Sequence, residues 1–96
     1  MHIEQLITNN DGTIIDVRTP REFMGGHVAG SINIPVVELP YRMKDLKELS
    51  PPLLFCCASG NRSGHAAQFC TNQGLESYNA GAWTTVNYYK SLASQL

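Results

Sequence analysis

The chain has 96 residues, and its seven basic and eight acidic side chains give a formal net charge of −1. This length predicts a single domain over residues 1–96, built around one core. The balanced charge favours neither nucleic acid nor an anionic membrane surface as a partner, and no run approaches the ~20 apolar residues of a membrane span.

The three cysteines are odd in number and two are adjacent, which is not the pattern of a disulfide framework. Residues 1–6 have neither the basic start nor the apolar core of a secretory signal. We therefore expect a cytoplasmic protein with free thiols, or a periplasmic one if an export signal has been removed. The histidines have no metal-ligand spacing with the cysteines, so no metal site is expected.

The first elements are short and bounded by clear turn signals. Residues 3–7 predict a helical start, or a strand followed by a helix, which ends in a turn at 9–12. The β-branched run at 13–17 predicts a central strand. Thr19 and Glu22 have the spacing of a capping box, so a short helix is expected to begin after Thr19.

A second strand is predicted at residues 30–35, where a proline ends it. Residues 36–49 predict one helix with Pro40 in its first turn, because apolar side chains recur at helical spacing. Those side chains are Leu39, Met43, Leu46 and Leu49.

The second half predicts two more strands and two more helices. Residues 53–55 form a short apolar run typical of a buried strand, with Cys56 as its last residue. A helix over 65–73 would follow, with Gly74 as its stop. Residues 77–79 predict the last strand, and Gly81 precedes a C-terminal helix with an apolar stripe. The stripe comprises Val86, Tyr89, Ala93 and Leu96. Alternating strands and helices indicate an α/β fold with a parallel sheet.

The loop between the 53–55 strand and the next helix predicts an anion-binding site with a reactive thiol. Backbone N–H groups of such a turn and the positive end of the helix favour an anion, and the same dipoles lower the pKa of a cysteine below ~8.5. Two registers are open: Cys57 lies five positions before Arg62, and Cys56 lies six before it. Because neighbouring strand residues point to opposite faces, only one of the two thiols can face the loop. Alternation alone does not say which of the two it is; the other thiol would be buried as a small hydrophobe.

Three segments carry a family resemblance: residues 57–63 (CASGNRS), 16–23 (DVRTPREF) and 26–35 (GHVAGSINIP). In order and spacing they resemble the active loop and the two structural signatures of the rhodanese family, in its compact single-domain form. Asn79-Ala80-Gly81 is similar to a further segment of that form, except that the family's usual Gly-Gly is Ala80-Gly81 here. The resemblance implies a small central parallel sheet with helices on both faces. Gly60, three residues after Cys57, supports the Cys57 register.

The resemblance also implies a sulfurtransferase in which Cys57 is the nucleophile and carries a persulfide. Arg62 would stabilise the sulfur anions, and Ser63 would cap the helix first and donate to sulfur second. Ala58, Ser59, Gly60 and Asn61 would complete the binding loop, largely through backbone groups. The expected donor is a small sulfur-containing anion, thiosulfate or a persulfide, and the acceptor is cyanide, a thiol or a protein. No cofactor is required. The protein would be a monomer or a homodimer.

Two other functions remain open on sequence grounds. A phosphatase could use Cys56 in the longer register, and a non-catalytic rhodanese-like module could carry sulfur or bind a partner.

Several other residues have mainly structural predictions. We expect an ion pair of Arg18 with Glu22, and we expect His27 to hydrogen-bond the chain. Cys70 is predicted in the core, with a disulfide to Cys57 as the lesser alternative. Trp83 would lie at the rim of the loop or in the core.

Overall fold

The computed structural model describes residues 3–93, which form an α/β fold around a parallel sheet. The strands are β1 (Thr13–Asp16), β2 (Ile32–Asn33), β3 (Leu53–Cys57) and β4 (Ser77–Ala82). The α-helices are α1 (Ile3–Thr8), α2 (Pro20–Met24), α3 (Met43–Lys47), α4 (Asn61–Asn72) and α5 (Trp83–Ala93), and a 3₁₀ helix spans Val36–Tyr41.

The strand order is β2-β1-β3-β4, and every neighbouring pair is parallel. The carboxyl ends of all four strands therefore lie at one edge of the sheet, where ligands of open α/β sheets bind. Asp16, the last residue of β1, pairs with Cys56, so the loops that follow β1 and β3 begin side by side.

Two apolar cores cover the two faces of the sheet, and the alternation along β3 divides them. Leu53, Phe55 and Cys57 belong to the core on one face, whereas Leu54 and Cys56 belong to the core on the other. The first core is completed by buried residues of the 3₁₀ helix, α3 and α4, namely Leu39, Leu46, Ala66, Ala67 and Cys70. The second includes Leu6, Ile7 and Val86 of α1 and α5. The prediction that the adjacent cysteines point to opposite faces is confirmed.

The single helix predicted for residues 36–49 is wrong, although its apolar side chains face the core as expected. The backbone forms a 3₁₀ helix and then α3, separated by Arg42 at φ −117°. Proline disfavours the α conformation of the residue before it, and Pro40 also lacks an N–H. Leu39 therefore cannot continue an α-helix, although it remains buried.

Three predicted boundaries around the loop are also wrong. The helix after the loop begins at Asn61 rather than at residue 65. The third strand extends one residue further, because Cys57 pairs with Ala82. The last strand continues to Ala82 rather than ending at residue 79, since a bulge at Ala80 lets the pairing resume at Gly81. Gly81 has φ +86°, a conformation that suits glycine.

The second strand is shorter than predicted, Ile32–Asn33 rather than residues 30–35. Three other local features agree with their predictions. Thr19 and Glu22 form the capping box at the start of α2. The start of the chain takes the helical alternative, as α1. In α5, Val86 is buried and Tyr89 packs beside it; Leu96 of the predicted stripe lies outside the described residues. Of the helices between residues 3 and 93, none has the length and hydropathy to cross a bilayer.

Candidate active site

The loop between β3 and α4 brings the predicted site residues together at the carboxyl edge of the sheet. Cys57 is the last residue of β3, and α4 begins at Asn61. Gly60 has φ +98°, a left-handed conformation that turns the chain directly into the helix. The side chains of Ala58, Ser59 and Asn61 are exposed, which leaves the backbone of the loop to face inward.

The sulfur of Cys57 is buried and surrounded by hydrogen-bond donors. The backbone N–H of Gly60 lies 3.0 Å from Sγ and that of Ser63 lies 3.4 Å from it. The hydroxyl oxygen of Ser63 is 3.3 Å from the same sulfur. Both N–H groups belong to the start of α4, whose positive end favours a negative charge. The loop is therefore arranged to hold a thiolate.

The electrostatic environment separates Cys57 from the other two thiols. Burial raises the pKa of Cys57, but the Ser63 hydroxyl and the backbone N–H groups of Ser63, Gly60 and Ser59 outweigh it, so the net pKa is lowered. Burial, with the charge of Asp16, raises the pKa of Cys56 to about 12. Burial alone raises the pKa of Cys70 to about 11. At neutral pH, Cys57 is the thiol most readily ionised of the three.

Ser63 was predicted to cap α4, but it does not. The N-cap is Gly60, so Ser63 is the third residue of the helix. Its side chain is completely buried and turns toward Cys57 instead of back to the helix end. The hydroxyl lies beside the sulfur, where its secondary role was predicted, and it donates to Asn79 Oδ1 at 2.7 Å.

The guanidinium of Arg62 is paired with a carboxylate from another element. Its Nη1 donates to Glu22 Oε1 at 2.7 Å, and its Nη2 donates to Glu22 Oε2 at 3.1 Å. Glu22 Oε1 also accepts from the backbone N–H of Thr19, which closes the capping box. The hydrogen bond from Arg62, followed by that from Thr19, lowers the pKa of Glu22 to about 2. Glu22 thus joins the start of α2 to the loop.

The predicted ion pair of Arg18 with Glu22 is therefore wrong, because Arg18 pairs with Asp16. The Arg18 Nη2 lies 2.7 Å from Asp16 Oδ2 and also donates to the Gly26 carbonyl at 2.7 Å. The carboxylate of Asp16 is completely buried, so it needs a charged partner next to it. The hydrogen bond with Asp16 raises the pKa of Arg18.

Trp83 and His27 support the backbone around the site. The Arg18 guanidinium lies 4.6 Å from the centroid of the Trp83 ring, which packs on the core beneath α5. His27 Nδ1 is 2.7 Å from the Phe23 carbonyl oxygen, which confirms the predicted hydrogen bond between His27 and the backbone. Trp83 therefore connects the segment after β1 with α5, whereas His27 holds that segment together internally.

Cys70 is in the core, and its position argues against a disulfide with Cys57. Cys57 contacts Ser63 near the start of α4, and Cys70 lies seven residues further along that helix. Seven residues rise ~10 Å, whereas bridged cysteines have Cα atoms within about 7 Å of one another.

Asn79 is a neighbour of the thiol that the sequence did not identify as part of the site. It lies in β4, beside β3, and its Nδ2 donates to the Gly60 carbonyl at 3.0 Å. Its Oδ1 accepts from Ser63 Oγ at 2.7 Å and from the Gly81 N–H at 3.0 Å. A polar residue near the carboxyl end of the strand beside the cysteine was the available signal.

Among residues 3–93, no group of three or more histidine, cysteine or acidic side chains is placed to hold a metal ion.

The chain is similar to known proteins in both sequence and fold. The family described as "Rhodanese-like domain" matches residues 2–90, so the chain belongs to the rhodanese-like domain family. YqhL of Bacillus subtilis (strain 168), an uncharacterized protein, is 43% identical over 67 residues, which are 69% of this chain and 52% of YqhL. The thiosulfate sulfurtransferase GlpE of Pseudoalteromonas translucida (strain TAC 125) is 31% identical over 72 residues, 75% of this chain and 68% of GlpE.

A solved structure described as "rhodanese with anions from E. coli" has 31% sequence identity and a TM-score of 0.68, over 75% of this chain and 87% of that one. The predicted fold class, a rhodanese-like parallel sheet with helices on both faces, is confirmed. The chain spans about half the length of YqhL and about two thirds that of GlpE. The relatives of this family thus include thiosulfate sulfurtransferases.

Proposed function

We propose that the protein is a sulfurtransferase that moves a sulfane sulfur through a persulfide on Cys57. The observation that carries this proposal is the buried Cys57 sulfur with the N–H groups of Gly60 and Ser63 directed at it. Those donors would stabilise the thiolate before reaction and the persulfide after it, because both are anions.

The two half-reactions balance without a cofactor. The Cys57 thiolate attacks the outer sulfur of thiosulfate, a new S–S bond forms, the old S–S bond breaks, and sulfite leaves with the bonding electrons. Cyanide, a thiol or a protein thiolate then takes the terminal sulfur and restores the Cys57 thiolate. With thiosulfate and cyanide the products are sulfite and thiocyanate. No general base is needed if the thiolate is already formed.

The geometry gives less support to the phosphatase alternative. Cys56 packs in the core on the far face of the sheet from the loop, and its raised pKa keeps it protonated at neutral pH. A nucleophile must be a thiolate and must face the bound anion. A non-catalytic sulfur carrier would use the same Cys57 geometry, so turnover has to separate that reading from the enzyme.

Steady-state kinetics with thiosulfate and cyanide test the proposal. We expect a ping-pong pattern, because the modified enzyme is an obligatory intermediate. Cys57→Ser should abolish thiocyanate formation. Cys56→Ser should retain it, and the two variants are compared at a temperature where thermal unfolding shows that both are folded. Activity that survives Cys57→Ser and is lost in Cys56→Ser would contradict the assignment. A persulfide that forms without turnover would indicate a carrier.

A further inference from the structure

Asn79 has an amide whose orientation is fixed by two partners of opposite kind. The Gly60 carbonyl can only accept a hydrogen bond, so Nδ2 must face it. The Gly81 N–H can only donate, so Oδ1 must face it. Both requirements give the same orientation, which leaves Oδ1 as the atom that meets the Ser63 hydroxyl.

The Ser63 hydroxyl therefore has two neighbours that compete for one proton. Asn79 Oδ1 is 2.7 Å away and accepts that proton. Cys57 Sγ is 3.3 Å away, and while Ser63 donates to Asn79, its oxygen can only accept from the thiol S–H. A thiolate has no proton to donate and needs donors instead. When Cys57 ionises, the Ser63 hydroxyl can turn from Asn79 to sulfur and add a third donor to the N–H groups of Gly60 and Ser63.

This exchange leaves the buried Ser63 hydroxyl with a partner in both states. Asn79 is an exposed residue, and its Oδ1 keeps the hydrogen bond from the Gly81 N–H after the Ser63 proton has turned away. The Asn79 amide also packs closely on Gly64. A Cβ added at Gly64 would lie 3.2 Å from Asn79 Nδ2, so a side chain at Gly64 would crowd the amide.

We infer that Asn79 is a positioning residue for Cys57: it draws the Ser63 proton away from the thiol, releases that proton to the thiolate, and anchors the Gly60 backbone beneath the sulfur. The inference deepens the proposed function, because the same sulfur is the proposed nucleophile. Asn79 acts on it only through Ser63 and Gly60, so its effect should depend on the Ser63 hydroxyl.

The test is a double-mutant cycle read on the ionisation of Cys57. The four proteins have Asn79 or Asn79→Ala combined with Ser63 or Ser63→Ala, all in a Cys56→Ala, Cys70→Ala background so that one thiol titrates. The measurement is the pH dependence of alkylation by iodoacetamide. Loss of the Gly60 anchor affects both Asn79→Ala proteins and cancels in the cycle. The nearby charges, Arg62 paired with Glu22, stay constant.

We expect Asn79→Ala to shift the pKa of Cys57 downward by about half a unit to one unit more when Ser63 is present than when it is absent, the size of one hydrogen bond. Equal shifts in the two backgrounds, or an upward difference, would overturn the inference. Asn79→Val, which suits a strand, replaces Asn79→Ala if that variant is poorly folded. The cycle needs no sulfur donor, so it is independent of the sulfur-transfer assay. The role of Asn79 can be disproved while sulfur transfer is confirmed, and sulfur transfer can be disproved while the role of Asn79 is confirmed.

Discussion

Arg62 of the active loop and Glu22 of α2, forty residues apart in sequence, form a two-point ion pair with N–O distances of 2.7 and 3.1 Å. The pKa of Glu22, about 2, keeps its carboxylate charged at any working pH. The cation of the loop is therefore compensated before any substrate arrives. If thiosulfate is the donor, as proposed, the dianion would compete with Glu22 for the Arg62 guanidinium.

Removing that competition should favour doubly charged donors. We expect Glu22→Gln to raise kcat/KM for thiosulfate by up to about fivefold, the range of an exposed ion pair, and the gain should shrink at high salt. Gln retains an oxygen for the capping box. Thr19→Ala is the matched control, since it removes the Thr19 cap and leaves the Arg62 pair intact. An equal gain in Thr19→Ala, or none in Glu22→Gln, would contradict this role for Glu22.

Gly60 should matter for reaction beyond its effect on stability. Gly60 and Gly74, before and after α4, have similar positive φ angles of +98° and +87°. Alanine at either site should cost about 1–2 kcal/mol of folding free energy. We expect Gly60→Ala also to lower kcat/KM for thiosulfate about tenfold or more. An alanine would relieve its strain by a change in φ, and that change would move the N–H of residue 60 away from the Cys57 sulfur. Gly74→Ala should react like the wild type. Equal activity of Gly60→Ala and Gly74→Ala, measured where both are folded, would show that the Gly60 hydrogen bond contributes nothing to reaction.

The buried thiols should make the protein less stable at alkaline pH. Cys56 and Cys70 have pKa values raised to about 12 and about 11, whereas an unfolded thiol ionises near 8.5. Above that pH the unfolded chain has lost protons that the native state keeps, so the free energy of unfolding falls as pH rises.

Each buried thiol should contribute a slope of about 1.4 kcal/mol per pH unit in that range. Urea unfolding under reducing conditions at several pH values measures it, and Cys70→Ala should show a shallower fall than the wild type. Cys57→Ala is the control, because the lowered pKa of Cys57 gives no such loss. Parallel curves for the wild type and Cys70→Ala would be inconsistent with a raised native pKa.

The sequence predicted those parts of the fold that depend on local chemistry. Thr19 and Glu22 form a capping box because the motif needs only the first turn of a helix. Cys56 and Cys57 face opposite cores because a strand alternates. The prediction of one helix over residues 36–49 was wrong because apolar spacing does not reflect the effect of Pro40 on the backbone of the residue before it.

The contacts that complete the site could not be read locally. Arg62 meets Glu22, and Ser63 meets Asn79, only because parallel strands bring the ends of β1, β3 and β4 to one edge. Strand order sets these partners, and the Ala80 bulge changes the register of β4. Neither the order nor the bulge has a signal in the residues that make the contacts.

A persulfide on Cys57 would be detected by the intact mass of the protein after reaction with thiosulfate. We predict a gain of one sulfur atom in the wild type and in Cys56→Ser, removed by cyanide, and no gain in Cys57→Ser. An adduct that persists in Cys57→Ser and disappears in Cys56→Ser would contradict it.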